Sequence, residues 1–557
     1  MNKPEKNLRE DIYTCALTAL WLLLARFALG ASWGLFPEVS STSTVDAGIL
    51  HNANDTWFYL SIAQQYSQGA GLAGDLYTTE PHSALLWALP LWVVGLGSRL
   101  TDLPIVGVYN VAGLVGALIA VFAFRRVAWN LDLPRAARNI STAALVFGTG
   151  SAWLIDVRNP TELIPRLTRP EMFFLDLFPS TAFLTYPYHS FGLALLCTLW
   201  WRTACLETRL LSGQFPRSEV AVVGGLALLM AFSRPYEPLA FFAAWSVKTL
   251  WHFIQRKSDP AAWRISYRVA LLLGITLVPG IVWSGWTATR PVWSGFASAA
   301  LSLGVQFKAH SWLVCLAGLT VLGLIGAHRA WRANPRAAVL PVSACGLVFT
   351  ILVLFGSGQA KLASGLLLGP MLLAGWAGHA LWEASARSGR AARAGLVLLV
   401  VVLLGAPSAA LNFASIRALR PPPLDEPLVR LAQTIPRSSL PSVVLTSPRL
   451  GEILPGLVGA RVFAGHWALT DNFRAKANRL ATAGLVPDKQ PATVAEMKLA
   501  LDHLVAEVAF DFALLEPATP ALEHLIACRW TPVAHVKQWT LLAAPARPPA
   551  PFAKRGS

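Results

Sequence analysis

Between Trp21 and Leu411 the chain returns repeatedly to apolar runs, several of about 18 residues or more, the length that crosses a hydrocarbon core of roughly 30 Å. Inside such a core each backbone N–H and C=O must find its partner within the protein, so each run is read as a helix. Composition agrees: 54% of the 557 residues are hydrophobic and 14% charged, against about 25% charged in a soluble domain. The fold class is therefore a polytopic α-helical membrane protein over residues 1–412. After residue 412 the texture changes: Pro421, Pro422 and Pro423 cluster, and charged residues alternate with short apolar runs. Residues 413–557 read as a small C-terminal α/β soluble domain, with strands at 442–446, 512–515 and 539–543 and helices at 472–483 and 493–508. Thr493 with Glu496 three residues on opens the second helix as a capping box.

The net charge of +16 reflects Lys and Arg that punctuate the apolar runs, which reports orientation and gives no reason to expect nucleic acid. Spans are assigned near 12–31, 104–124, 140–155, 182–201, 219–232, 237–254, 268–286, 311–327, 338–355, 361–380 and 394–412. With a cytoplasmic N-terminus and a first span acting as signal anchor, 20 basic residues fall on inner segments and 8 on outer loops. The bias expects about 11 spans, with the C-terminal domain on the periplasmic or extracellular side. Residues 83–98, apolar but short and holding Pro90, are read as an interfacial helix on the outer face. No CxxC pair or His/Cys cluster stands out among the six cysteines, so no disulfide framework or zinc site is expected.

The first outer loop, 32–102, then carries Glu38, Asp46, Asp55, Asp75, Glu80 and Asp102 against Arg99 alone. From Thr56 the apolar residues Trp57, Leu60, Ile62, Ala63 and Tyr66 recur at helical spacing until Gly69 and Gly71. Asn54 and Asp55 head this helix. Asp55 has two open readings at this stage, a helix cap and a reactive carboxylate.

An acid after the first span, an aromatic-rich amphipathic helix, a G-x-G and a second membrane-hugging helix together resemble the GT-C superfamily of integral-membrane glycosyltransferases. Bacterial members, among them aminoarabinose, arabinofuranose and mannosyl transferases, take sugars from polyprenyl-phosphate donors. Where that family commonly shows an Asp-Asp or Asp-Glu pair, this chain has Asn54-Asp55. Tyr77 to His82 is similar to the family's short E/K-P motif, with His82 where a second Pro is often found. Phe232-Ser233-Arg234-Pro235-Tyr236 and Ser357-Gly358-Gln359-Ala360-Lys361 resemble positions where the family places cations near the donor phosphate. Gly451 to Pro455 and Arg461 to Thr470 resemble the family's outer domains.

The resemblance implies a transfer of sugar from a polyprenyl-phosphate donor to a glycan, lipid or protein acceptor at the outer face of a bacterial cytoplasmic membrane, with inversion. Asp55 is implied as general base and as a ligand for a divalent cation, Mg or Mn. Asp156 is the expected second acid, with Glu162, Glu171 and Asp176 following it. Arg234, Lys361, Glu80, His82 and Tyr236 are the expected donor-phosphate residues. In the C-terminal domain, His466 and Trp467 are the expected acceptor contacts, since Trp offers a flat apolar face to a sugar. Two rival readings remain at this stage, a lipid-linked sugar transporter or flippase and a non-catalytic GT-C scaffold. A transporter predicts internal repeats and mid-span ionisable residues; no repeat is seen, and apart from Arg26 the charges avoid span centres.

Orientation is directly testable. Single cysteines placed in the segment 69–72 are expected to react with a membrane-impermeant maleimide in intact cells, and cysteines at 212–215 only after lysis. The opposite pattern would invert every loop.

Overall fold

A computed structural model describes residues 3–34, 44–50, 52–148, 178–295, 312, 314–354, 360–385, 389–436, 441–486, 489, 491, 493–516 and 519–545. The membrane half begins with α1 (Lys3–Ala28), a two-residue strand β1 (Thr44–Val45), α2 (Ala53–Ser67) and α3 (Leu89–Thr101). It continues with α4 (Ile105–Asn130), α5 (Arg135–Phe147), α6 (Pro179–Thr185), α7 (Pro187–Leu211), α8 (Arg217–Ser233) and α9 (Tyr236–Ile254). Then follow α10 (Pro260–Ala288), α11 (Ala317–Ala333), α12 (Pro335–Leu354), α13 (Ala360–Ser364), α14 (Leu368–Ser385), α15 (Gly389–Leu403) and α16 (Ala406–Leu419).

Among the described residues, four helices are long and apolar enough to cross a membrane: Leu8–Ala28 of α1, α4, α10 and Pro335–Leu352 of α12. A fifth candidate is Gly395–Leu403 with Ala406–Ala418, bent by 48°. This is a multi-pass membrane protein. Helical segments also lie at the other expected positions, shorter or more polar than a full span, and the outer part of the expected span 140–155 lies outside the described residues. The helix α3 is 13 residues long, about 20 Å at 1.5 Å per residue, too short to cross. It packs on α2 instead. Arg26 falls in the last turn of α1, where it donates to the carbonyls of Ser32 and Gly48 at 2.8 and 2.6 Å, so its charge sits at a helix end.

Buried charges gather at the bundle end opposite α2, where Asp11 meets Arg125 at 2.7 Å and Arg126 at 3.2 Å. Glu219 meets Arg202 at 2.7 Å and Glu207 meets Lys248 at 2.5 Å. An ion removed from water costs several kcal/mol unless paired, and each of these carboxylates has a cation.

The C-terminal half holds β2 (Leu424–Asp425), α17 (Glu426–Gln433), β3 (Val443–Leu445), α18 (Pro448–Val458), β4 (Arg461–Val462), α19 (Phe473–Thr482), α20 (Val494–Glu507), β5 (Phe512–Leu515), α21 (Ala521–Ala527), β6 (Thr531–Val536) and β7 (Trp539–Ala543). Five strands form one sheet in the order β4-β3-β5-β7-β6; β3 is parallel to β4 and β5, and β7 antiparallel to β5 and β6. The expected strands and helices are found within a residue of their predicted ends. The short β4, the exposed β6 and the helices α17, α18 and α21 have no counterpart in the sequence reading. Thr493 caps α20 by accepting the Glu496 N–H at 3.1 Å.

Side chains on the strands alternate between two cores, as a period of two requires. Val444, Leu514 and Leu541 face a core shared with Trp57, Phe58, Leu60 and Tyr77 of the first outer loop. Leu445, Ala513, Leu515 and Leu542 face a second core built with α19, α20 and α21. The first outer loop and the C-terminal domain are thus one hydrophobic unit. Polar bonds repeat the tie: β1 pairs antiparallel with β2, Val462 N–H donates to the Leu76 carbonyl at 2.9 Å, and Arg420 is ion-paired with Asp46.

The closest approach in this seam needs a glycine. A Cβ on Gly456 of α18 would lie 2.6 Å from the Trp57 carbonyl oxygen. Gly456→Val is expected to cost about 1–3 kcal/mol by overpacking, read as a lower thermal midpoint and faster proteolytic release of the C-terminal domain. Unchanged proteolysis would mean that the seam is not tightly packed.

Candidate functional site

The helix α2 starts at Asn52, whose backbone is left-handed (φ 47°) and whose side chain makes no cap hydrogen bond. Asp55 lies in the first turn and is not the cap, so the capping reading falls away. Its Oδ2 instead accepts from Asn52 Nδ2 and from the Tyr186 hydroxyl, both at 2.8 Å. Its Oδ1 lies 3.5 Å from His466 Nε2. His466 Nδ1 accepts the Ala468 N–H at 3.2 Å, so in the neutral ring the proton sits on Nε2, toward Asp55. The Asp55 side chain keeps 42% of its accessible surface while His466 keeps 3%. A reachable carboxylate is therefore held by its half-buried neighbour Asn52 and by buried Tyr186 and His466 from two distant parts of the chain.

Burial alone would raise the Asp55 pKa. The His466 ring, the Tyr186 hydroxyl and the Lys361 charge outweigh burial and hold the carboxyl below its ordinary value, so Asp55 is ionised at neutral pH. Glu452 of α18 also feels this charge. Burial pushes its pKa up, the His466 ring opposes, and Asp55 adds to the rise.

Behind Asp55 stands an aromatic wall. Tyr186 stacks on His189 with centroids 4.4 Å apart, and Tyr59 stacks on Tyr188 at 4.4 Å. Arg234 braces the wall from beneath: its Nη1 meets His189 Nδ1 at 2.7 Å, its Nη2 meets Glu237 Oε1 at 2.6 Å, and its guanidinium lies over the rings of Tyr188 and Tyr236 at 4.8 and 5.3 Å. Gly192, one turn along α7, leaves room for it; a Cβ there would lie 2.6 Å from Arg234 Nε.

The expected site residues divide accordingly. Asp55, His466 and Lys361 come together in space or charge, and Trp467, 48% exposed, stacks beside His466 with centroids 6.1 Å apart. Lys361, in the short α13, is exposed. Arg234 is 1% exposed and its charge is matched by Glu237; this places it beneath the wall, not at an open headgroup surface. Glu80 is ion-paired with Lys476 of the C-terminal domain at 2.5 Å. His82 accepts the Asp75 N–H at Nε2 (2.9 Å) and faces the Glu80 carbonyl at Nδ1 (2.8 Å), with burial pushing its pKa down. Both are engaged in shaping the loop. Asp156 and its acidic followers lie outside the described residues.

Asn52, Tyr59, Tyr186, Tyr188, Glu237 and Glu452 were not picked out from sequence. Tyr186-Pro187-Tyr188-His189 carried a signal, because three polar-edged rings head an otherwise apolar helix.

Both Asp55 carboxylate oxygens face N–H or O–H donors, and among the described residues Asp55 is not part of a converging group of three or more metal-ligating side chains.

No family model and no curated protein matches the chain. Among solved structures it is similar to the oligosaccharyltransferase of Archaeoglobus fulgidus tethered with an acceptor peptide containing the NVT sequon, at 11% identity and TM-score 0.53, covering 90% of this chain and 69% of that one. The same enzyme in complex with Zn and sulfate gives 10% identity and TM-score 0.53, over 89% and 67%. ArnT from Cupriavidus metallidurans bound to undecaprenyl phosphate is similar more loosely, at 13% identity and TM-score 0.45, over 96% and 99%. The oligosaccharyltransferase likeness shows the fold: this chain has the GT-C fold.

One pH effect follows from the loop. Asp75 is 1% exposed, and burial pushes its pKa up to about 7 against the Tyr77 N–H bond and the charges of His466, Arg461 and Lys476. The folded state therefore holds this proton more tightly than the unfolded state does, and stability falls as pH rises from about 4 through about 7. Asp75→Asn is expected to flatten thermal stability across that window. A variant that tracks the wild-type slope would remove Asp75 as its source.

Proposed function

We propose that the chain is a membrane glycosyltransferase that moves a sugar from a polyprenyl-phosphate donor to an acceptor hydroxyl or amide, on the outer face of a bacterial cytoplasmic membrane. The observation that carries this reading is the ionised, reachable Asp55 carboxylate, fixed by Asn52, Tyr186 and His466 on a GT-C fold. In a single displacement the acceptor atom attacks the anomeric carbon as the bond to the phosphate oxygen breaks. Asp55 takes the acceptor proton, and the configuration inverts. An oriented base of this kind contributes about 10²–10⁴ in rate.

Lys361 is assigned to the leaving phosphate, because it is exposed and its charge reaches the Asp55 carboxylate. A cation placed where negative charge develops stabilises the transition state. Arg234 acts one step removed, fixing His189 and through it the Tyr186 ring. Tyr236 flanks Arg234, and Glu80 and His82 shape the loop that carries Asp55. His466 and the exposed Trp467 are assigned to the acceptor, with His466 also aiming Asp55. A cation shared with Asp55 would need a second acid, and the segment 156–176 contains four. No step above passes through a cation.

The test uses lipid co-purified with the detergent-solubilised chain, identified by mass spectrometry and supplied back as donor. Asp55→Asn is expected to lower transfer about 10²–10⁴-fold with donor binding intact. Lys361→Ala is expected to weaken donor binding about tenfold. Normal transfer by Asp55→Asn would sink the site assignment, whereas lipid translocation without transfer would move the chain to the transporter class.

A further inference from the structure

On the side of the C-terminal sheet facing away from Asp55, α20 and α21 bring together Asp502, His524 and Cys528. These are the metal-ligating side chains that converge among the described residues. His524 Nε2 lies 2.8 Å from Asp502 Oδ1; Cys528 Sγ lies 3.6 Å from that same nitrogen and 3.8 Å from that same oxygen. His524 and Cys528 are four residues apart, one turn on one face at the end of α21. The sequence reading expected no His/Cys cluster, because Asp502 stands 22 residues before His524 and only the fold brings the three together.

Three functions are open to a Cys, a His and an Asp in contact. A nucleophilic triad needs the acid on one ring nitrogen and the thiol on the other. Here both meet Nε2, so the ring does not stand between them with one nitrogen on each. A redox thiol needs a lowered pKa, whereas burial and then the Asp502 charge push the Cys528 pKa up. A metal site needs three donor atoms converging on one point. Bonds of about 2.0–2.1 Å to nitrogen, 2.0–2.2 Å to oxygen and 2.3 Å to sulfur, at tetrahedral angles, put donors about 3.3–3.6 Å apart. Two of the three separations already lie within about 0.2 Å of that range. The third is the shorter Nε2–Oδ1 hydrogen bond, which opens by about 0.5 Å when an ion replaces its proton.

We infer that Asp502, His524 and Cys528 form a binding site for a zinc-class divalent transition metal, with a fourth position open to solvent. Binding moves the His524 proton to Nδ1 and releases the Cys528 proton to water, so the ion meets a thiolate, a neutral imidazole and a carboxylate. No electron changes hands. The ion ties α21, a helix of only seven residues, to α20. It stands apart from Asp55, so its loss affects the C-terminal domain before it affects transfer.

The measurement uses the full chain in detergent. With equimolar Co²⁺, the wild-type protein is expected to show thiolate-to-cobalt charge-transfer absorption, displaced by Zn²⁺ and absent in Cys528→Ser. Zn²⁺ is also expected to slow maleimide labelling of Cys528 at least tenfold, reversibly with EDTA. Cys528→Ser gives the labelling background from the other five cysteines. His524→Ala keeps the thiol and the fold but should lose the protection. Absence of the cobalt band, or equal protection in His524→Ala, would overturn the site.

Discussion

The hydrophobic seam between α2 and the C-terminal domain is the interaction on which the rest depends. Trp57, Phe58, Leu60 and Tyr77 share a core with Val444, Val462, Leu514 and Leu541. Burial of side chains this size contributes about 1.5–3 kcal/mol each, which makes the domain part of the loop's own core. The Asp55 carboxylate is carried on one side of this seam and His466 on the other, so a site that spans two topologically distant segments is set by apolar packing. The polar bonds across the seam, such as Thr470 to the Tyr77 carbonyl at 2.8 Å, fix its register.

From the membrane side the same carboxylate is held by Tyr186 at the entrance to α7. That ring has no freedom of its own: it stacks on His189, which Arg234 holds, and Glu237 neutralises Arg234. Removing the Glu237 charge would take away a buried counter-charge 2.6 Å from the guanidinium, a large penalty. The arrangement explains why an Arg that interrupts two apolar helices is buried. Through His189 it holds the aromatic ring whose hydroxyl donates to the Asp55 carboxylate.

Much of the fold was legible in sequence because it rests on periodicity. The apolar runs give the bundle helices, and the short apolar runs Phe512–Leu515 and Trp539–Ala543 give two of the central strands. The short β4 was not legible, since its two residues gain strand character only from pairing with β3. For the candidate site, Asp55 and His466 were readable, one as the acid heading α2 and the other in the His466-Trp467 pair between Arg461 and Thr470. Tyr186 and Glu452 were not, because what matters in each is distance to Asp55, which lies 131 and 397 residues away along the chain. Arg234 was noticed for its charge, but only burial and the Glu237 pairing show where that charge is used.

The proposed single displacement, with Asp55 as base and no covalent intermediate, is tested most directly by product stereochemistry. NMR of the anomeric centre of transferred sugar, compared with the co-purified donor, should show inverted configuration. Retention would contradict direct displacement with Asp55 as the base.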